Sequence, residues 1–225
     1  MFLFRDINLM GLLVLMVVAY LLGSIPTAYL VSRWVKGIDI RRYGSGTVGG
    51  SMVYEHVNRW LVVPVGLFDI AKAAFPTWMG MQLGYGEPGA MAAGLAALVG
   101  HNWPLYLNFI GGRGIGSFLG ILLVLFPWGD VWFLAFLAIG TALGDSAPWA
   151  LASIASMPLL IWRLDGASTL YWLVGGMLII TLVKRLEANR RPLPPDGPER
   201  RRVIWLRLIY DRDIPDHKSW IRRQP

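Results

Sequence analysis

Seven stretches of mostly apolar residues follow one another along this chain, at 8–35, 60–83, 89–100, 114–126, 130–143, 149–164 and 169–184, separated by glycine, proline or charged positions. A helix needs about 20 mostly apolar residues to cross the hydrocarbon of a bilayer. The first two stretches meet that length. The third is short and has to draw on its flanks, and the fourth and fifth are split at Pro127-Trp128-Gly129. The pattern predicts an all-α, polytopic membrane helix bundle of about seven transmembrane helices. The short stretches also fit broken or re-entrant elements, which makes five crossings the competing count. The first stretch is too long, and is followed by too many others, to be a cleaved leader.

Charge sets the expected orientation. With seven crossings the loop after the first stretch carries Lys36, Arg41 and Arg42, the loop after the third carries Arg113, and the chain after the seventh carries Lys184, Arg185, Arg190 and Arg191. The alternate loops carry Glu87, Asp130 and Asp165, with Arg163 just inside a span end. Lysine and arginine mark the cytoplasmic side, so the N-terminus is expected outside and the C-terminus in the cytoplasm. The character of the chain changes near residue 188. Arg190-Arg191-Pro192-Leu193-Pro194-Pro195 reads as an extended linker. Beyond it, 200–210 mixes basic with large apolar residues and fits a surface-lying segment, a short strand pair or an unstructured tail. The expected division is a transmembrane domain over 1–188 and a basic cytoplasmic tail over 189–225.

Composition narrows the chemistry. Of 225 residues, 55% are hydrophobic and 16% charged, more apolar than a soluble domain, at about 25% charged, has interior to hide. No cysteine is present, which excludes disulfides, thiolate metal sites and cysteine nucleophiles. The three histidines, His56, His101 and His217, stand too far apart for a His-x-x-x-His zinc helix. The net charge of +7 fits positive-inside loops and anionic lipid headgroups, so membrane lipids rather than nucleic acid are the expected partner.

Two loops on the expected cytoplasmic side gather glycines, hydroxyls and a cation. The first runs Asp39-Ile40-Arg41-Arg42-Tyr43-Gly44-Ser45-Gly46-Thr47-Val48-Gly49-Gly50-Ser51, and the second covers 100–117 with Gly111-Gly112-Arg113-Gly114 and Ser117. Glycine lets backbone N–H groups turn toward an anion, which is what a phosphate requires. Gly44, Gly46 and Gly49 spell a G-x-G-x-x-G, but no strand precedes them and the dinucleotide reading fails. The same glycines also fit tight turns and helix contacts, with Gly112, Gly116 and Gly120 at small-xxx-small spacing. Asp69 and Lys72, three apart on the second stretch, share a helix face and are read either as a structural ion pair or as polar support under the first loop. His101 opens the second loop, as a hydrogen-bonding helix end or as a base. No acid stands five residues after either His56 or His101, and there is no Gly-x-Ser-x-Gly elbow.

At these loops the chain resembles the bacterial integral-membrane acyl-phosphate:glycerol-3-phosphate acyltransferases of phospholipid synthesis. Tyr20-Leu21-Leu22-Gly23-Ser24-Ile25-Pro26 looks like that family's first helix. Gly44-Ser45-Gly46-x-x-Gly49 looks like its first glycine motif, and Asp69-x-x-Lys72 like its Asp-x-x-Lys-Gly. Gly100-His101-x-x-Pro104 with Phe109-x-Gly111-Gly112-x-Gly114 looks like its second. Leu151-Ala152-Ser153-Ile154 and Asn189 are fainter echoes. The likeness runs over about residues 15–190 and leaves the tail outside. It implies a bacterial inner-membrane protein of seven helices whose site faces the cytoplasm. It implies transfer of an acyl group from acyl phosphate to the first hydroxyl of glycerol 3-phosphate, with no cofactor or metal. The substrate's own phosphate is thought to help remove the proton. On this resemblance Ser45 and His101 are the catalytic candidates. Gly44, Gly46, Thr47, Gly49, Ser51, Gly111, Gly112, Arg113, Gly114, Ser117 and Asn189 are the substrate-binding candidates. Asp69 and Lys72 form a supporting pair, and Arg41 and Arg42 are weaker phosphate candidates.

The departures from that family concern charge. Thr47, Gly50, Ser51 and Met52 replace Asn, Ala, Thr and Asn of the first motif, and Glu55 stands where an arginine follows it. In the second, Ile110 replaces a lysine, Arg113 another lysine and Ser117 a threonine, and Ala73 replaces the glycine after Lys72. Ile110 and Glu55 remove cations from where the family binds phosphate, which should weaken a dianionic acceptor by about 1–3 kcal/mol per lost charge-assisted bond. Three functions therefore stay open: the family reaction, acyl transfer to a less anionic acceptor, and non-catalytic binding of a lipid or phosphorylated ligand.

Overall fold

A computed structural model describes residues 8–223, and among these every regular element is helical. Asn8 caps α1 (Leu9–Gly23) by accepting from the Gly11 N–H at 3.0 Å. The stretch at 8–35, expected as one helix, is broken. Pro26 has no N–H and its ring would collide with the Leu22 carbonyl, so α1 stops and α2 (Thr27–Lys36) begins beyond it. Gly37, at φ 67°, ends α2 in the left-handed conformation.

The short α3 (Gly50–His56) follows the first loop, then come α4 (Val62–Gln82) and α5 (Gly86–Asn102), the latter lengthened by its flanks as expected. The chain continues with α6 (Ile115–Leu125), α7 (Pro127–Ala142), α8 (Ser146–Arg163) and α9 (Ser168–Glu187). Pro127-Trp128-Gly129, expected as a break, is the first turn of α7, where a missing N–H costs nothing. The break falls at Phe126. The tail, expected as a surface segment, a strand pair or unstructured chain, forms α10 (Pro198–Tyr210) and α11 (His217–Ile221).

Helix α4 packs on α1, α5 and α6, α1 also packs on α5, and α7, α8 and α9 follow in series. Of the small-residue trio, Gly116 and Gly120 serve helix contact. A Cβ on Gly120 would strike the Ile70 carbonyl, and one on Gly116 would lie 2.8 Å from the Asp69 Cβ. Leu98, Phe118, Ile121, Ile154, Met157 and Leu173 fill the core. Outside it, Leu13, Val17, Leu67, Leu134, Trp162, Trp172 and Ile179 are exposed, the apolar exterior of helices solvated by lipid. Among the described residues three segments are long and apolar enough to cross a membrane: Leu9–Lys36, Arg59–Gln82 and Ser168–Arg190.

The connecting chain gathers at one end of the bundle. There the Val48 N–H donates to the Gly111 carbonyl at 3.1 Å, joining the two glycine loops. Arg212 of the tail donates to Asp145, the N-cap of α8, at 2.6 Å, and His56 Nε2 donates to the Ile221 carbonyl at 2.8 Å.

Candidate active site

The first loop is braced before it reaches the glycines. Asp39 accepts from the Arg41 N–H and from both sides of its guanidinium, at 3.1, 3.0 and 2.7 Å. That hydrogen bonding holds the Asp39 carboxyl below its usual range, against the opposing effect of burial. Arg41 also lies over the Tyr29 ring, while Arg42 points to solvent, and neither reaches the cavity described below. Gly44 and Gly46 take left-handed φ values of 47° and 68° and turn the chain back on itself. The Gly44 N–H donates to the Arg223 carbonyl at 2.8 Å and the Gly46 N–H to that of Tyr43 at 2.8 Å. One donor thus closes the turn and the other ties it to the tail. Ser45 and Thr47 share a hydroxyl hydrogen bond of 2.7 Å.

The second loop starts where Pro104 stops α5. Asn108 and Phe109 take left-handed conformations, and the chain folds back so that the Gly112 N–H donates to the His101 carbonyl at 3.1 Å. A Cβ on Gly112 would collide with the His101 ring and sit 2.8 Å from the Val48 carbonyl. The first glycine of this trio is thus a loop contact rather than a helix contact. Asn189 ties the two loops together: its Nδ2 donates to the carbonyls of Gly46 (3.0 Å) and Gly111 (3.3 Å).

Between these loops, α8, α9 and the tail lies a cavity of about 170 Å³. Ser45, Thr47, Ser51 and Arg113 line one side, and Phe118, Ala150 and Ile154 give it an apolar wall. Gly44, Gly46, Gly49, Gly111, Gly112 and Gly114 shape the loops around it without lining it. Ser117 is fully buried in the first turn of α6, its hydroxyl without a partner among the described residues.

His101 does not reach this cavity. It lines a second space of about 10 Å³ with Ser24, Thr27, Asp69, Lys72 and Gly111. Lys72 Nζ pairs with Asp69 Oδ1 at 2.8 Å and donates at 2.9 Å to the Ile25 carbonyl, in the break between α1 and α2, which also accepts from the Thr27 N–H at 3.1 Å. Thr27 donates to Asp69 at 3.3 Å, and His101 Nδ1 stands 3.7 Å from the same oxygen. The pair therefore supports the α1–α2 break and the His101 corner.

Sequence reasoning missed part of the lining: Ser146 and Ala147 at the start of α8, Thr181, Lys184 and Arg185 at the end of α9, and Tyr210, Asp211, His217, Trp220 and Ile221 of the tail. The signal for the α9 pair was present but was read as topology charge. Arg191 backs the cavity. Its Nη2 donates to the Gly44 and Ser45 carbonyls at 3.2 and 2.7 Å while its guanidinium stacks on Trp220 at 4.3 Å. Burial, with Arg223 nearby, lowers its pKa to about 10, so it stays charged at neutral pH. Glu55, the repelling departure, pairs with Arg222 of the tail at 2.9 Å.

An all-helical bundle among the described residues, with a lipid-type exterior and a largely apolar cavity lined at one end by hydroxyls and cations, defines an integral membrane protein. Comparison with known proteins makes this specific. The model of the family described as glycerol-3-phosphate acyltransferase matches residues 13–193, and the chain belongs to that family. Glycerol-3-phosphate acyltransferase 5 of Dehalococcoides mccartyi (strain ATCC BAA-2266 / KCTC 15142 / 195) is 35% identical over 227 residues, covering 94% of this chain and 93% of that protein. The glycerol-3-phosphate acyltransferase of Gloeobacter violaceus is 36% identical over 171 residues, covering 72% and 82%. In structure the chain is similar to PlsY, an integral membrane glycerol 3-phosphate acyltransferase, in its glycerol 3-phosphate form. The TM-score is 0.72 at 25% identity, over 80% of this chain and 91% of that one. The few residues left uncovered by the Dehalococcoides alignment are fewer than those beyond position 193. The family model thus ends where the resemblance over about 15–190 was expected to end, while the likeness to this relative runs further, into the tail.

Proposed function

We propose that this protein transfers a fatty acyl group from acyl phosphate to the first hydroxyl of glycerol 3-phosphate, giving lysophosphatidic acid and inorganic phosphate. The observation that carries this reading is the cavity with two characters, hydroxyls and cations facing an apolar wall. An acyl phosphate has the same two characters. The acceptor hydroxyl attacks the acyl carbonyl carbon and a tetrahedral oxyanion forms. The bond to the phosphate oxygen then breaks, phosphate departs, and the hydroxyl proton ends on a phosphate oxygen. Ser51 and the proton of the Ser45–Thr47 pair that is not used between them donate to the oxyanion and orient the acceptor, and Arg113 balances phosphate charge. His101 acts through the loop it supports, as a positioning residue.

The same reading gives seven crossings of a bacterial inner membrane, the N-terminus outside, and the cavity and the tail beyond residue 188 in the cytoplasm. Its support is charge: Lys36, Arg113 and the tail arginines share the cavity end, while Glu87, in the first turn of α5, and Asp165, in the loop after α8, lie at the opposite end. Because the chain has no cysteine, single introduced cysteines in the 83–86 and 37–49 loops report sidedness directly. Labelling of both loops from the same side would refute this topology.

The activity is tested with purified protein in detergent, a long-chain acyl phosphate and glycerol 3-phosphate, following inorganic phosphate and lipid product. Phosphate release that requires glycerol 3-phosphate and yields lysophosphatidic acid is expected. Folded protein that releases none would refute the proposal.

A further inference from the structure

The charges around the cavity differ from those the glycine loops alone provide. Among the described lining residues are the cations Arg113, Lys184 and Arg185, and a carboxylate from the tail, Asp211. Arg113 Nε donates to Asp211 Oδ2 at 2.7 Å, each side chain 17% exposed. Yet Arg113 Nη1 and Asp211 Oδ1 are buried without partners among the described residues. A guanidinium and a carboxylate that satisfied each other fully would meet side by side through two bonds. Here one bond forms, and a donor and an acceptor are left over.

Asp211 also occupies an unfavourable position. It is the left-handed C-cap of α10, where the helix dipole already presents negative charge. A carboxylate there depends on cations across the cavity. Arg185 is held by the backbone through three of its five donors: Nη1 to the Leu208 and Ile209 carbonyls at 2.7 and 2.9 Å, Nη2 to Ala147 at 2.6 Å. It fastens the end of α10 to α8. Lys184 is different. Its side chain is 1% exposed, it lies over the Trp103 ring at 5.0 Å, and Glu187 at 3.0 Å takes one of its three N–H donors. Lys184 therefore brings a cation to a site whose motifs carry Ile110 and Glu55 in place of cations.

We infer that Arg113 and Lys184 together seat the phosphate group of the substrate, and that Asp211 is the resident anion this phosphate displaces. The inference rests on the acyltransferase reading above. The shared chemistry is a phosphate oxygen dianion, borne by the acceptor or the acyl phosphate. The tail thereby sets the affinity of the site. With Asp211 docked, a phosphate must outcompete a tethered carboxylate, and without it Arg113 is free while Lys184 keeps only Glu187.

The experiment uses the full chain in detergent, with inorganic phosphate as a turnover-free probe by calorimetry and KM and kcat measured in parallel. Asp211→Asn keeps the shape and leaves the tail held by Arg185 and Arg212. It is expected to bind inorganic phosphate roughly tenfold more tightly, about the worth of one charge-assisted bond. It should lower the KM of a phosphate substrate with kcat changed less. A fall in the KM of glycerol 3-phosphate alone assigns the seat to the acceptor, and a fall for acyl phosphate alone assigns it to the donor. Lys184→Gln is expected to weaken phosphate binding about tenfold, and Lys184→Arg to restore it. Unchanged or weaker phosphate binding in Asp211→Asn overturns the displacement, and unchanged binding in Lys184→Gln overturns the seat. If the binding pattern holds but no acyl transfer occurs, the acyltransferase reading fails and the seat stands. If transfer occurs without the binding pattern, only this inference fails.

Discussion

Two polar clusters lie near the same end of this bundle and behave in opposite ways. Around Asp69, Lys72 and His101 the charges turn inward: lysine meets aspartate and the Ile25 carbonyl in the break between α1 and α2, threonine adds a donor, and the remaining space is about 10 Å³. Around Ser45, Thr47 and Arg113 the groups face about 170 Å³, and buried atoms of Arg113 and Asp211 lack partners among the described residues. A buried charge whose partners are all internal holds a fold in place. A buried donor left over beside a cavity is available to a ligand. The sequence marks both clusters with equal emphasis, and only their geometry separates scaffold from site.

The contrast breaks most readily at Asp69. Asp69→Ala leaves a buried ammonium unpaired, and removing one partner of such a pair costs about 3–5 kcal/mol. Thermal unfolding in detergent should show this loss, and Asp69→Ala with Lys72→Met should recover much of it. Arg113→Gln should do the reverse. Its kcat/KM for acyl transfer should fall about 10²- to 10³-fold, the usual cost of losing a preorganised charge-stabilising donor, with a much smaller change in unfolding temperature. If Arg113→Gln unfolds as readily as Asp69→Ala, the two clusters are not different in kind.

Helix positions were legible because a 20-residue apolar run has few alternatives. The break at Pro26 was missed because hydropathy averages over it. The solution there depends on Lys72, 47 positions away, reaching the Ile25 carbonyl. Within the site, Ser45, Thr47, Ser51 and Arg113 were legible from composition and motif together. Lys184 was hidden because a cation at a helix end has a sufficient explanation as a topology signal. Asp211 was hidden because a linker rich in proline separates it from the bundle, and nothing local shows that α10 folds back. The donors of Gly44 and Gly46 were expected to face an anion. Gly46 closes the turn on Tyr43 and Gly44 is taken by the Arg223 carbonyl of the tail instead, because a left-handed glycine needs its own N–H satisfied as much as any other buried backbone group.

Asn189 sharpens the comparison from the side of the site. Its side chain, expected from sequence to bind substrate, bridges both glycine loops. Asn189→Ala removes two hydrogen bonds to carbonyls, a loss of about 1–3 kcal/mol. The cost should be divided between stability and loop geometry. The KM for glycerol 3-phosphate should rise by roughly tenfold, while the unfolding temperature falls less than in Asp69→Ala. A loss confined to stability, with KM unmoved, would place Asn189 with the scaffold.

The smallest effect belongs to Glu55, whose charge opposes a dianionic acceptor. It lies on α3, four residues beyond Ser51, which lines the cavity. Its partner Arg222 is 67% exposed, and such a pair is worth about 0–1 kcal/mol. The tail thus offsets a charge the first motif lost, but weakly. Glu55→Arg should leave stability within that range and lower the KM for glycerol 3-phosphate by a few-fold at low salt. The gain should fade as ionic strength shortens the Debye length to about 8 Å. Arg222→Glu should raise the KM by a similar factor, and the exchanged pair Glu55→Arg with Arg222→Glu should return it close to the starting value. A sharp fall in activity for Glu55→Arg alone would mean that this carboxylate touches the acceptor, and that the acceptor is not an anion.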